Sequence, residues 1–330
     1  MDYSYQWASL RVCKLQTRKS KIYYFSLFIS CFSLFLPSRY NSPMILVTGA
    51  TGFIGRSLMA CLAREGIEAR AYQGRMNDPI TLREELTGIT TVIHLAGSEA
   101  RGRDRLLHHV DVDGTERLVE ESRRAAVQRI IFASRLGADP ASMHSLLQAK
   151  GQAERIIQHS GIPYTILRTA TLYGRNDRFF ELIVGLAIWS WPFVWLPGGG
   201  KMGMQPLWVE DFVRCLVQSL SRPDLINKTI SVAGSEQLPY ATLVRQLLNV
   251  AGYRRVPLPV PMLLLHPLNA LLFYWWYWPP VSRYFMDRFF VPEIADHDAV
   301  YRQFGFRPAR IRDTISYLRR SGLALRLFRR

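Results

Sequence analysis

Met44-Ile45-Leu46-Val47-Thr48-Gly49-Ala50-Thr51-Gly52-Phe53-Ile54-Gly55 begins as a short apolar run and passes at once into three glycines spaced Gly-x-x-Gly-x-x-Gly. An amphipathic segment, Ser57 to Arg64, follows. Strand, tight turn and helix are the context in which such a glycine triplet cradles a phosphate. Gly49 can take a turn conformation that a Cβ would strain. Gly52 lets backbone close on a pyrophosphate, and Gly55 lets the helix pack on the strand. The helix N-terminus then offers unpaired N–H groups and a positive dipole end. Gly49, Thr51, Gly52, Phe53, Ile54 and Gly55 are therefore candidate diphosphate-binding residues.

Downstream, strand and helix signals alternate. Ile67 to Tyr72 reads as a second strand and Asp78 to Leu86 as a helix with Pro79 near its start. Thr91 to Gly97 is a buried strand ending in small residues, and Gly114 to Ala126 an amphipathic helix with Leu118 and Val119 inward and charges outward. Arg129 to Ser134, the helix Ser145 to His159 containing Lys150, and the strand Tyr164 to Arg168 continue the rhythm. Such alternation predicts βαβ units, a parallel sheet and a ligand at the carboxyl ends of the strands.

The second half changes character. Phe179 to Leu196 is apolar and tryptophan-rich, Pro197 to Gly200 is a loop, and Trp208 to Leu220 reads as a helix. Trp189, Trp191 and Trp195 are expected in packing, and Tyr173 is expected to line the pocket. Leu258 to Val281 is very apolar, with prolines at 257, 259, 261 and 267 that argue against an uninterrupted span. Its aromatic residues fit a shallow interfacial helix, and equally a lid over the cleft or a homodimer patch.

The 330 residues carry a formal net charge of +16, mostly from arginine. Basic residues do not interleave with aromatics as in a nucleic-acid platform, which argues against DNA or RNA as partner. An anionic membrane surface fits the basic, aromatic C-terminal region better. Four scattered cysteines imply a reducing compartment and show no metal spacing. His108 and His109 beside Asp111 and Asp113 do not form a metal set, and His94, inside a strand, reads as a hydrogen-bonded core residue. In residues 1–43 a basic flank precedes the apolar run Ile22 to Pro37. Signal peptide, membrane anchor and a non-native start are the readings, with initiation at Met44 favoured.

From about Met44 to Arg320 the chain resembles the short-chain dehydrogenase/reductase superfamily in its extended or atypical branch. The resemblance rests on Thr48 to Gly55, on Val92-Ile-His-Leu-Ala-Gly97, on Asp111-Val-Asp-Gly-Thr115, and on Pro163 to Arg168 followed by Leu172-Tyr-Gly174. Ser134 to Asp139, Gln205 to Asp211 and Val291 to Asp296 resemble the branch around the nucleotide-binding accessory subunit of respiratory complex I. The resemblance implies a dinucleotide held by Leu95, Ala96, Gly97, Lys150 and Thr171 besides the glycine loop, with Ser134 and Lys150 as the catalytic candidates.

Active relatives need Tyr-x-x-x-Lys on one helix face, where the lysine lowers the phenol's pKa. Here Lys150 is present but Leu146 stands four residues earlier, and His144 and Ser145 lie off that spacing. At the second strand, Glu68 to Arg75 runs almost directly into Asn77-Asp78-Pro79, as though the helix between the second and third strands were missing. Arg70 or Arg75 could meet a 2′-phosphate, or be a solvated charge; this leans towards NADP over NAD.

The expectation is an α/β protein, a Rossmann-type doubly wound parallel sheet with a smaller, mostly helical C-terminal lobe. Residues 44–175 form the core with 205–235 returning to it; 176–204 and 236–330 form a substrate or interaction lobe, and 1–43 an N-terminal extension. The expected function is dinucleotide binding as a cofactor-binding or redox-linked module without Tyr-Lys chemistry, in the cytoplasm and peripheral at a membrane. The alternatives are an active oxidoreductase or epimerase on a hydrophobic small molecule, and a membrane-surface scaffold. Homo-oligomers are compatible with both.

Overall fold

The computed structural model describes residues 44–98, 107–264, 267, 271 and 288–319. The N-terminal apolar run, Cys13, Cys31 and most of the Leu258 to Val281 segment therefore lie outside the described residues. Strands β1 (Ile45–Thr48), β2 (Ala69–Ala71), β3 (Thr91–His94), β4 (Arg129–Arg135), β5 (Tyr164–Thr169) and β6 (Lys228–Val232) form one parallel sheet in the order β6-β5-β4-β3-β1-β2.

Alternation along each strand builds two cores. Ile45, Val47, Ile93, Ile131 and Leu167 point to one face, where α1 (Phe53–Arg64) and α6 (Val209–Leu220) supply Leu58, Leu62, Phe212 and Leu216. Leu46, Val92, Ile130, Phe132 and Ile166 point to the other, against α2 (Pro79–Glu85), α3 (Gly114–Arg124) and α4 (Ser145–Gln158). Each fully buried leucine here contributes about 1.5–3 kcal/mol. Helices on both faces are why β4 is buried along its whole length, with the apolar run Ile130 to Ala133 at its centre.

Three expectations need correction. A helix does connect β2 to β3: it is α2, two turns long, started by Asp78, whose carboxylate accepts from the N–H groups of Ile80 and Thr81. The third helix also begins earlier than its amphipathic stretch, through a π-helical turn at His108–Asp113, and one of its charges faces in: Glu121 is buried and accepts from Arg83 and Arg124. Tyr173 does not line a pocket. It is fully buried, stacked on Phe180 with its hydroxyl 2.7 Å from Thr314 Oγ1.

The C-terminal lobe packs α5 (Phe180–Trp189) and α7 (Tyr240–Ala251) around Phe180, Ile183, Leu243, Leu247 and Phe289. It also holds short ribbons that the sequence does not announce. Val256–Val260 pairs in parallel with Phe193–Pro197, and Leu238–Pro239 pairs antiparallel with Gly203–Met204.

Candidate functional site

The chain leaves β1 for β2 on one side of the sheet and returns to β3 on the other, so a crevice opens beyond the carboxyl ends of β1 and β3. The glycine loop fills its edge. Gly49 sits at φ +70°, and a Cβ there would lie 2.7 Å from Ala96 N and Leu95 C. A Cβ on Gly55 would lie 2.2 Å from the Gly49 carbonyl oxygen, so α1 can start against the turn only with glycine there. Gly52 N–H donates to Gly49 O at 2.9 Å, and no side chain caps α1. Among the described residues no side-chain carboxylate or hydroxyl caps the first-turn amides, which belong to residues lining the cleft.

A buried polar chain holds this loop to its neighbours. Ala96 N–H donates to Thr48 Oγ1 at 3.3 Å, and Thr115 Oγ1 donates to the Asp111 carbonyl at 2.7 Å. His94 lies between, with Nδ1 2.7 Å from Thr48 Oγ1 and Nε2 3.0 Å from Thr115 Oγ1. The outer bonds assign the inner ones: Thr48 donates to Nδ1, and Nε2–H donates to Thr115. Neutral imidazole satisfies every partner. Burial, helped by the Lys150 charge, pushes the His94 pKa down to about 3. His94 is thus a structural strut, as its strand position suggests.

The cleft has a volume of about 370 Å³, within the roughly 300–1,000 Å³ typical of ligand sites. Gly49, Thr51, Gly52, Phe53, Ile54, Gly55, Leu95, Gly97, Ser134 and Lys150 all line it. Ala96 and Thr171 lie just behind the wall; Thr171 is turned to Glu293, which accepts from its N–H at 2.9 Å. Arg75 stands apart, exposed on the loop after β2, where its carbonyl accepts from Tyr72 Oη. Arg70 is held by the Glu85 carbonyl.

Lys150 Nζ is 2.8 Å from Asp111 Oδ1, and Asp111 Oδ2 accepts from Ser98 N–H and Oγ–H. Leu146 is buried with Leu107, Val112 and Ala149. Four residues beyond Lys150 on the same face, Glu154 takes a bidentate pair from Arg168 and accepts the Ser134 hydroxyl. Both catalytic candidates are therefore engaged with buried carboxylates.

Sequence reasoning missed the cationic wall. Arg56, Arg135, Arg178 and Arg288 line the cleft with Lys150, and among the described residues no carboxylate lines it. Arg56 directly follows the third glycine and could have been read from the motif; its Nη1 donates to Thr51 O at 2.6 Å. Arg178 and Arg288 come from distant segments that no spacing connects. The loop carrying Asn176 and Arg178 is fixed by buried Asp177, which accepts from the N–H groups of Gly174, Phe179 and Glu181 and from Tyr317 Oη. Among the described residues, no group of His, Cys, Asp or Glu is placed to hold a metal.

The residues present fit a nicotinamide dinucleotide. A loop in which a Cβ on Gly49 or Gly55 would strike backbone stands at an uncapped helix start, and cations line the wall beside it. A profile described as NAD(P)H-binding matches residues 63–183. Among relatives, NADH dehydrogenase (ubiquinone) 1 alpha subcomplex subunit 9, mitochondrial, of Mus musculus is 25% identical over 252 residues, 68% of this chain and 66% of that protein. The matched stretch is thus just under two thirds of the mouse protein. Photosystem II assembly factor Ycf39 of Cyanophora paradoxa is 24% identical over 262 residues, 72% of this chain and 78% of that one. In architecture the chain is similar to a short-chain dehydrogenase/reductase superfamily protein from Agrobacterium tumefaciens solved with bound NAD, with a TM-score of 0.63, 20% identity and coverage of 87% and 100%. The chain is thus similar in sequence to these two relatives and in fold to that NAD-bound structure, and its residues 63–183 match an NAD(P)H-binding domain.

Proposed function

We propose that the chain holds a reduced or oxidised nicotinamide dinucleotide, NADP(H) in preference to NAD(H), as an accessory or assembly module and not as a Tyr-Lys dehydrogenase. The observation that carries this reading is on α4. Leu146 occupies the place of the proton donor, buried in an apolar cluster, while Lys150 is neutralised by Asp111. A lysine paired in this way has no phenol to activate. A bound dinucleotide would supply hydride exchange; around it the chain supplies the phosphate cradle, a ribose-side ammonium and a cationic wall. The NADP preference is supported by Ala71-Tyr72-Gln73-Gly74-Arg75 at the exit of β2, which offers no carboxylate to a ribose 2′-hydroxyl. By name, the mouse relative is a subunit of a multisubunit oxidoreductase and the Cyanophora relative an assembly factor, which supports a role alongside an electron-transfer complex.

Fluorescence titration with NADPH and NADH tests the reading. Saturable binding with NADPH the tighter, without turnover of the bound nucleotide, is expected; no saturable binding of either would reject it. A second reading, an oxidoreductase with a non-tyrosine acid, draws on the apolar side of the cleft, where Leu172, Phe179 and Leu182 would suit a hydrophobic substrate. Oxidation of NADPH with an added hydrophobic carbonyl compound, lost in Lys150→Ala, would favour it.

A further inference from the structure

Tryptophans that the sequence assigns to packing stand at the surface. Trp189, Trp191 and Trp195 are 63%, 74% and 37% exposed, and Phe193 among them is 41% exposed. The parallel ribbon explains why. Along Phe193–Pro197, Val194 and Leu196 enter the core of the lobe, so Phe193 and Trp195 face outward. The register sets Val256 beside Phe193 and Leu258 beside Trp195, and both are exposed on that same face. Arg255 donates to the Ala187 carbonyl at 2.6 Å, which fastens the start of the second strand to the helix end that carries Trp189. An apolar, aromatic face is thus held rigidly outward.

Charge indicates what covers it. Residues 182–209 and 237–286, the two stretches that supply the ribbon, contain no Asp or Glu, while Lys201, Arg245, Arg254 and Arg255 fall within them. Exposed Arg254 lies two residues before the outward-facing strand. Outward tryptophans carried by stretches with cations and no carboxylate of their own match the chemistry of an anionic bilayer interface. We infer that the face made by Phe193, Trp195, Val256 and Leu258, flanked by Trp189 and Trp191, docks on an anionic phospholipid surface. Insertion is shallow, since a two-stranded ribbon reaches only the headgroup boundary.

Flotation of the full chain with phosphatidylcholine vesicles, and with vesicles containing about 30% phosphatidylserine, tests this. The parent should float preferentially with the anionic vesicles. Trp191→Ser/Trp195→Ser should lower the bound fraction about tenfold, and Arg254→Glu should remove most of the preference for phosphatidylserine. NADPH titration of each variant should match the parent, which shows that the fold is intact. A double variant that floats like the parent overturns the inference, as does a parent that floats with neither vesicle or with both equally. A parent dimer that the double variant makes monomeric, without flotation, overturns it in favour of a second copy on this face. A chain that floats yet binds no nucleotide would sink the proposed function and leave this inference standing.

Discussion

Gly52 and Gly55 stand three residues apart in one loop, yet alanine at each should do different damage. A Cβ on Gly55 falls 2.2 Å from the Gly49 carbonyl oxygen and 2.6 Å from Ala50 Cα, both backbone atoms of a turn pressed against β3. Non-bonded heavy atoms settle near about 3.5 Å, so the overlap is roughly 1 Å and the turn must open. Overpacking of this kind costs about 1–3 kcal/mol, and at about 2–4 °C per kcal/mol for a domain of this size Tm should fall by roughly 2–12 °C. Gly52 is different. Its φ of −71° and ψ of 179° suit alanine, and a Cβ there meets only Gly49 O, at 3.0 Å. Gly52→Ala should therefore keep its Tm within about 2 °C while placing a methyl on the cleft wall. Loss of one charge-assisted contact, about 1.5–3 kcal/mol, should weaken NADPH about 10- to 150-fold. Thermal melts beside fluorescence titrations separate the two effects. A folded Gly52→Ala chain that binds NADPH like the parent would refute the phosphate cradle.

The pH dependence of stability should carry the mark of His94. Its folded pKa is near 3 against an ordinary 6.5, so the unfolded chain binds the extra proton between those values. Stability should fall below pH 6.5 by about 1.4 kcal/mol per unit, about 2 kcal/mol at pH 5, and melts of His94→Gln should show a flatter slope. Lys150→Met leaves the Asp111 carboxylate buried without its cation and should cost about 3–5 kcal/mol, whereas Lys150→Met/Asp111→Asn should recover more than half; denaturant titrations of the cycle that add without coupling would contradict the pair. Burial pushes the Glu293 carboxyl up, but Arg135 and Arg288 outweigh it and hold it below its usual range. Glu293→Gln should therefore lose about 3 kcal/mol at neutral pH, and the difference from the parent should shrink as acid protonates Glu293.

Much of this was legible because local chemistry decided it. The run Ile45–Thr48 into three glycines allows little except strand, turn and helix, and Leu146 four residues before Lys150 is read directly from the sequence. Legibility failed where partners are remote. Nothing near Arg178 or Arg288 in the chain says that both reach one cleft, and nothing near Lys150 says that Asp111 neutralises it. The short strand Lys228–Val232 carries only five residues, two of them exposed, too brief a pattern to separate from a loop, although it closes the sheet beside β5. Trp189 to Trp195 misled for another reason: tryptophan is usually interior, and composition cannot tell a core from an outward ribbon.

The Glu293 carboxylate, which anchors Arg135 and Thr171 beneath the cleft, comes 158 positions after Arg135. At ribosomal speeds of about 5–20 residues per second, that separation is roughly 8–30 s of synthesis. Through that interval the emerging polypeptide carries the glycine turn and its arginines with the floor beneath them unfinished. The cleft as described is therefore complete only after the segment carrying Glu293 has been made.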